Sequence, residues 1–343
     1  MFNIDKITRK NIQQMKAYNS ARSDYKGSAE VWLDANENPN ETDLNRYPDP
    51  LQLSLKEEIS KLKKVDPNKI FIGNGSDEAI DLLFRAFCEP GSSKAFIFPP
   101  TYGMYEVSAE INNVEVEKIP LTENFELPLS EKIKAKLSAT GLLFICSPNN
   151  PTGNSTDLNN IKEIADLFNG LVVVDEAYID FSENKSSISL LEEIPNLVVL
   201  QTFSKAYGLA GARIGMAFAN PDIIAILNRI KPPYNINTLS MKAAQEVLSN
   251  NETISNQINE IKEERKRLVI ELLKLKFVEH IFRSDANFLL IQFSNSKKIF
   301  DALLKAGIVV RNRAAHVENC LRITIGTKIE NNQLIKILKD LQG

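Results

Sequence analysis

The stretch TFSKAYGLAGARIG, residues 202–215, ends an apolar run in small hydroxylated residues, follows them with a lysine, and places an arginine eight positions later. An amine held at Lys205 can form a Schiff base with an aldehyde, and Ser204 and Arg213, with Thr202 beside them, can take a phosphate through charge-assisted bonds. Taken alone, Lys205 reads first as a solvated loop residue. Asp175 changes the weighing. It closes the most hydrophobic segment, LVVVDEAY, where a carboxylate buried without a cation would be costly. A protonated ring nitrogen of the pyridine type would meet that need, and Tyr178, three residues on, could hydrogen-bond a phenolic oxygen on the same ring. A helix-capping Asp and a packing Tyr are the plainer alternatives for that pair in isolation.

Two loops add polar groups. SPNNPTG, residues 147–153, follows the apolar run LLFIC and holds the Asn150 amide in a turn built from Pro and Gly, although turn chemistry alone explains such a segment. GNGSDE, residues 73–78, offers glycines and free backbone N–H groups at a helix start, with Ser76 as N-cap, which is a ready anion site.

Elements must bring these loops together. Strands are expected at 94–98, 142–146, 171–175, 197–201 and 214–218, alternating with helical patterns such as Leu51, Leu55, Ile59 and Leu62, the stretch from Ser76, and 158–168. Unbroken apolar strands between amphipathic helices predict an α/β domain with a mostly parallel sheet covered on both faces, over residues 46–238. Beyond residue 239 the texture changes to polar-rich helices at 240–249 and 252–275, strands near 288–293 and 321–325, and a last helix from about Glu330. That predicts a smaller α+β domain, joined by the segment 1–45, which shows no comparable buried pattern and reads as an arm that packs on something else.

The bulk numbers exclude several classes. With 343 residues, 43% hydrophobic and 25% charged, the chain has the composition of a globular protein large enough for two domains and a cleft between them. Its 41 basic residues are scattered among 44 acidic ones, so no electrostatic footprint for nucleic acid is present. The apolar stretches are strand-length, not membrane-length, and the N-terminus lacks a secretory core, which points to the cytoplasm. Cys88, Cys146 and Cys320 show no CxxC spacing and read as reduced packing residues, and two histidines are too few for a His-rich metal site.

Taken jointly, Gly75, Ser76 and Asp77, Tyr102 in PPTYG, Asn150, Asp175, Tyr178, Lys205 and Arg213 stand in the order and approximate spacing of fold-type I aminotransferases, which use pyridoxal 5′-phosphate (PLP), and the chain resembles that family. The resemblance implies a seven-stranded large-domain sheet, Lys205 as the cofactor-bearing residue and proton shuttle, and Asp175 on the ring nitrogen. It further implies Tyr102 stacked on the ring, Asn150 and Tyr178 on its phenolic oxygen, and Gly75, Ser76, Asp77, Thr202, Ser204 and Arg213 around the phosphate.

The similarity is closer to histidinol-phosphate aminotransferases: AYNSARSD around Tyr18, WLDANENP with Asn36, RYPDP with Tyr47, YGMYEVSAE, and LRITIGT with Arg322. It implies a homodimer in which Tyr47 reaches the neighbouring subunit's cofactor phosphate. It also implies that Arg322 binds the substrate carboxylate or phosphate, and that Tyr18, Asn36 and Arg311 help hold histidinol phosphate. Two departures touch this arm: Ala17 stands where proline is common, and the usual YG continuation after NENP is missing. The implied reaction is amino transfer between L-glutamate and imidazole-acetol phosphate, giving 2-oxoglutarate and histidinol phosphate. An aromatic or broad-specificity aminotransferase and a threonine-phosphate decarboxylase share these motifs, and a PLP-binding regulatory module is a distant alternative without a DNA-binding segment to support it.

Overall fold

The computed structural model describes residues 3–16, 18, 29–130 and 140–342. Seven strands form the main sheet: β1 (Ile70–Asn74), β2 (Lys94–Ile97), β3 (Glu115–Lys118), β4 (Gly141–Cys146), β5 (Leu171–Asp175), β6 (Leu197–Thr202) and β7 (Ile214–Ala219). Their order is β1-β7-β6-β5-β4-β2-β3, and β7 alone runs against both neighbours.

Every residue of β4, β5, β6 and β7 is buried. Alternation explains why the runs are apolar throughout: Val172, Val174 and Val199 pack to one side with Ile161 and Ile164, while Val173, Val198 and Leu200 pack to the other with Ile80 and Leu83. The five expected strands are present to within one residue at each end. β1 and β3 are additions to the reading. β1 has only Ile70–Ile72 before glycine interrupts it, and β3, EVEK, is a half-exposed edge strand whose charges disguise it.

The second unit is α+β. β8 (Val278–Ile281), β9 (Phe288–Phe293), β10 (Arg311–Asn312) and β11 (Cys320–Thr324) form an antiparallel sheet of order β10-β11-β9-β8, and its core includes Leu289, Ile323 and Leu338. The last helix, Lys328–Asp340, starts two residues before the expected Glu330 because Glu330 is its third residue. The Thr327 hydroxyl accepts from the Glu330 N–H while the Glu330 carboxylate accepts from the Thr327 N–H.

The expected division at residue 238 falls on the first residue of helix Thr238–Ser249, whose Ala244 and Leu248 join the large core. The following 22-residue helix, Asn251–Leu272, puts Ile254 in the large core and Leu268 and Leu272 in the small one. The N-terminal segment departs from the reading. Short helices Ile4–Ile7 and Lys10–Gln14 dock on the chain's own large unit, with Ile12 buried, the Arg9 N–H donating to Ala86 O at 2.9 Å and Arg229 donating to Ile12 O at 3.3 Å. Cys88, Cys146 and Cys320 are free and buried, and burial pushes the Cys88 thiol up to about 12. Among the described residues no helix is long and apolar enough to cross a membrane, and no group of three metal-ligand side chains occurs.

Candidate active site

Strand order decides what meets. β4, β5 and β6 are parallel neighbours, so Cys146, Asp175 and Thr202 finish at one edge of the sheet. β7 runs the other way and begins there, immediately after Arg213, and β1 ends there with Asn74 opposite Ile214. Loops separated widely in sequence thus converge on the carboxyl edge, where open α/β sheets take ligands.

Glycine makes the convergence possible at two points. Gly75 has φ 77°, and its N–H donates to Arg213 O at 2.7 Å; a Cβ there would sit 2.5 Å from an Arg213 guanidinium nitrogen. A Cβ on Gly215 would sit 2.0 Å from the Ser76 nitrogen, so β7 and the start of helix Ser76–Phe87 can touch only through glycine. Ser76 is not the N-cap that the sequence suggests. Gly75 occupies that position and no side chain caps the helix, which leaves the first-turn N–H groups facing the cleft at the positive end of the helix dipole. Arg213 stands beside them, 3.3 Å from Asp77 Oδ2, and the Tyr102 hydroxyl donates to Asp77 Oδ1 at 3.1 Å.

Asp175 is 3% exposed. Its Oδ2 accepts from the Tyr105 hydroxyl at 2.7 Å and its Oδ1 from the Ala177 N–H at 3.1 Å. Burial lifts its carboxyl to about 6, and these two donors restrain the rise. Tyr105 is fully buried, stacked on Phe144 at 4.6 Å, and burial with the Asp175 charge holds its phenol well above the usual range, so it remains a donor. The sequence reading passes over Tyr105. Its signal was a second tyrosine three residues after Tyr102, one helical step away and turned inward.

Asn150 and Tyr178 are buried side by side, with the Asn150 amide donating to the Tyr178 hydroxyl at 3.4 Å. From β11 of the second unit, Arg322 crosses over to donate to Asn150 Oδ1, its guanidinium 5.3 Å from the centre of the Phe288 ring. The Lys205 amine lies 5.6 Å from the centre of the Tyr178 ring, and burial followed by the Arg322 charge lowers its pKa against the pull of Asp175. The Thr202 hydroxyl accepts from the Ser204 N–H at 3.1 Å, which turns the chain after β6 toward the opening. The cleft that these groups line has an empty volume, taken out to its mouth, of about 520 Å3. It therefore unites an anion site at one end, a buried carboxylate in want of a cation at the other, and a lysine with a depressed pKa between them.

The remaining sequence candidates sit elsewhere on the chain. Tyr47 stacks on Tyr234 at 4.5 Å and, with Asn36, lines a separate cavity whose empty volume, taken out to its mouth, is about 1040 Å3. Tyr18 is 71% exposed, and the rest of the AYNSARSD stretch, residue 17 and residues 19–24, lies outside the described residues. Arg311 is exposed on β10, opposite Arg322.

Comparison with known proteins identifies the family and the fold. The family Aminotransferase class I and II matches residues 17–338. A histidinol-phosphate aminotransferase of Christiangramia forsetii is 53% identical over 100% of this chain and 99% of its own length. Among solved structures, the histidinol-phosphate aminotransferase of Clostridium acetobutylicum superposes with a TM-score of 0.81 at 27% identity, covering 88% of this chain and 91% of that one. The histidinol-phosphate aminotransferase of Sinorhizobium meliloti, solved in complex with pyridoxal-5′-phosphate, shares the fold with a TM-score of 0.79 at 23% identity, covering 87% and 84%.

Proposed function

This chain belongs to the class I and II aminotransferases, and from that premise we propose that it carries out the histidinol-phosphate aminotransferase reaction: reversible amino transfer between L-glutamate and imidazole-acetol phosphate, with PLP as cofactor. The observation that carries the reading is the similarity to the Christiangramia forsetii relative over the full length of both chains.

The residues fit PLP on chemical grounds. Asp175 is a buried carboxylate held by two neutral donors, which leaves it suited to a protonated ring nitrogen. The uncapped helix start at Ser76 and the Arg213 guanidinium suit a phosphate dianion. When bound, PLP supplies an electron-withdrawing ring that spreads the negative charge developing at the substrate α-carbon.

The protein's own groups do the rest. Lys205 would hold the cofactor, and its Nζ would move the proton at the substrate α-carbon. Its lowered pKa suits it to that work. Asp175 would keep the ring nitrogen protonated, Tyr102 would pack on the ring, and Asn150 and Tyr178 would hold the phenolic oxygen. Arg322, steadied by Asn150, would bind the substrate's α-carboxylate or phosphate, and Arg311 with Tyr18 and Asn36 would help hold histidinol phosphate. Tyr47, which lines a cavity apart from Lys205 in its own chain, acts across a homodimer interface on the neighbour's cofactor phosphate. We place the enzyme in the cytoplasm, and the passage from its large to its small domain within helix Asn251–Leu272, later than residue 238.

The test is direct. Purified holoenzyme mixed with histidinol phosphate and 2-oxoglutarate should form glutamate. Turnover of tyrosine, phenylalanine or threonine phosphate, with none of histidinol phosphate, would overturn the reading.

A further inference from the structure

β10 and β11 pair so that Arg311 faces Arg322, and the Arg313 N–H continues that register by donating to Cys320 O at 3.0 Å. Alternation along the two strands therefore puts Arg311, Arg313 and Arg322 on one side of the small sheet. The other side carries Leu321 and Ile323 into the small core. The shared side looks toward the cleft, since Arg322 reaches Asn150 from it.

Three guanidinium groups on one face repel one another unless something negative lies between them. No carboxylate among the described residues pairs with any of the three, and the buried Nε of Arg313 has no hydrogen-bond partner there. Burial lowers the pKa of the Arg313 guanidinium, the charges of Arg322 and Arg311 lower it further, and Tyr178 opposes them. Arg313 thus shares with Arg322 the side of the small sheet that faces Asn150, and keeps a buried, unused Nε donor. Arg322 is already committed to Asn150 and to the reacting end.

We propose that Arg313 is a specificity-determining residue that binds the distal phosphate of the substrate together with Arg311. This rests on the substrate assigned above and adds the reason for its selectivity. A phosphate monoester carries close to two charges over three oxygens, and two planar forks can share it. A carboxylate carries one charge over two oxygens and gains less from the second fork. The pair of arginines spaced by one residue, RNR, therefore favours a phosphorylated amine over an amino acid of similar size.

The test uses full-length, cofactor-loaded protein carrying Arg313→Gln or Arg313→Lys. The half-reactions with histidinol phosphate and with glutamate are followed separately, and the Kd of inorganic phosphate is measured by calorimetry on the same preparations. Arg313→Gln should lower kcat/KM for histidinol phosphate by about 10- to 100-fold, the range expected on losing charge-assisted bonds. It should raise the phosphate Kd by about tenfold and leave the glutamate half-reaction within about threefold. Arg313→Lys should fall between, since it keeps the charge and loses the fork. Equal losses on both substrates, or an unchanged phosphate Kd, would overturn the proposal and give Arg313 a structural role or an acidic partner of its own. Wild-type protein that ignores histidinol phosphate would sink the assigned reaction instead, while the phosphate titration would still decide the role of Arg313.

Discussion

Replacing Tyr105 with phenylalanine removes one hydroxyl and leaves the ring stacked on Phe144, so its effect isolates a single hydrogen bond to Asp175. A bond to a charged group contributes about 1.5–3 kcal/mol. At about 1.4 kcal/mol per pK unit, its loss should raise the Asp175 carboxyl by roughly one to two units. The starting value is about 6, so the variant should titrate near 7 to 8. The sign follows from which form the donor favours: the phenol stabilises the ionised carboxylate, and only the ionised form pairs with a protonated ring nitrogen. Cofactor affinity should therefore hold down to about pH 6 in the wild type and begin to fall one to two units higher in Tyr105→Phe.

The assay is a spectroscopic titration of cofactor-free protein with PLP across pH 5.5–8.5, comparing the two proteins so that the titrations of Lys205 and of the cofactor cancel. Stability offers a second readout with its own sign. A carboxyl whose folded pKa is raised contributes stability that is complete below the unfolded value of 3.8 and is lost as pH rises through about 6. Tyr105→Phe stretches that loss upward, so the cofactor-free variant should be weaker than wild type mainly above pH 6 and nearly matched to it at pH 5. Superimposable affinity curves would refute the assignment of Tyr105 as the residue that keeps Asp175 ionised.

Other outcomes follow from the same geometry. Borohydride reduction of the holoenzyme and peptide mapping should find the label on Lys205, and Lys205→Ala should abolish both label and transamination; label on another lysine would end that assignment. Mixing inactive Tyr47 and Lys205 variants under demonstrated subunit exchange should restore partial activity if Tyr47 completes the neighbour's site, and no recovery would confine Tyr47 to its own chain. Gly215→Ala forces a Cβ to 2.0 Å from the Ser76 nitrogen, whereas Gly211→Ala meets nothing within 4 Å; calorimetry should show a loss of about 1–3 kcal/mol or more for the first only, with weaker cofactor binding. Arg311→Ala should lower catalytic efficiency on histidinol phosphate by roughly ten- to hundredfold and leave glutamate within a fewfold, while Arg322→Ala should damage both half-reactions.

How much of this was legible beforehand depends on whether a signal was local. The strands under the cleft announce themselves because burial on both faces demands unbroken runs such as LVVVD, and the chemistry at their ends stands out against those runs. Shape-bearing glycines are equally visible, although the role of Gly75 as the uncapped helix start was assigned to Ser76 instead, because serine caps more often than it opens a helix. What a single sequence does not carry is the pairing of distant loops. Tyr105 meets Asp175 across 70 residues and Arg322 meets Asn150 across 172; the first contact depends on a helix packed on the large sheet and the second on the small unit packed against the large one. Arg313 falls between these cases. Its alternation with Arg311 is a local pattern, but β10 is two residues long, too short to declare a period, and the pattern acquires a face only once β11 fixes Arg322 against it. Each of these three residues lies against a group already visible in the sequence: Tyr105 against Asp175, Arg322 against Asn150, and Arg313 on the same face as Arg311 and Arg322. The candidate groups were therefore readable from strand ends, while the contacts between them had to await the packing of separate elements.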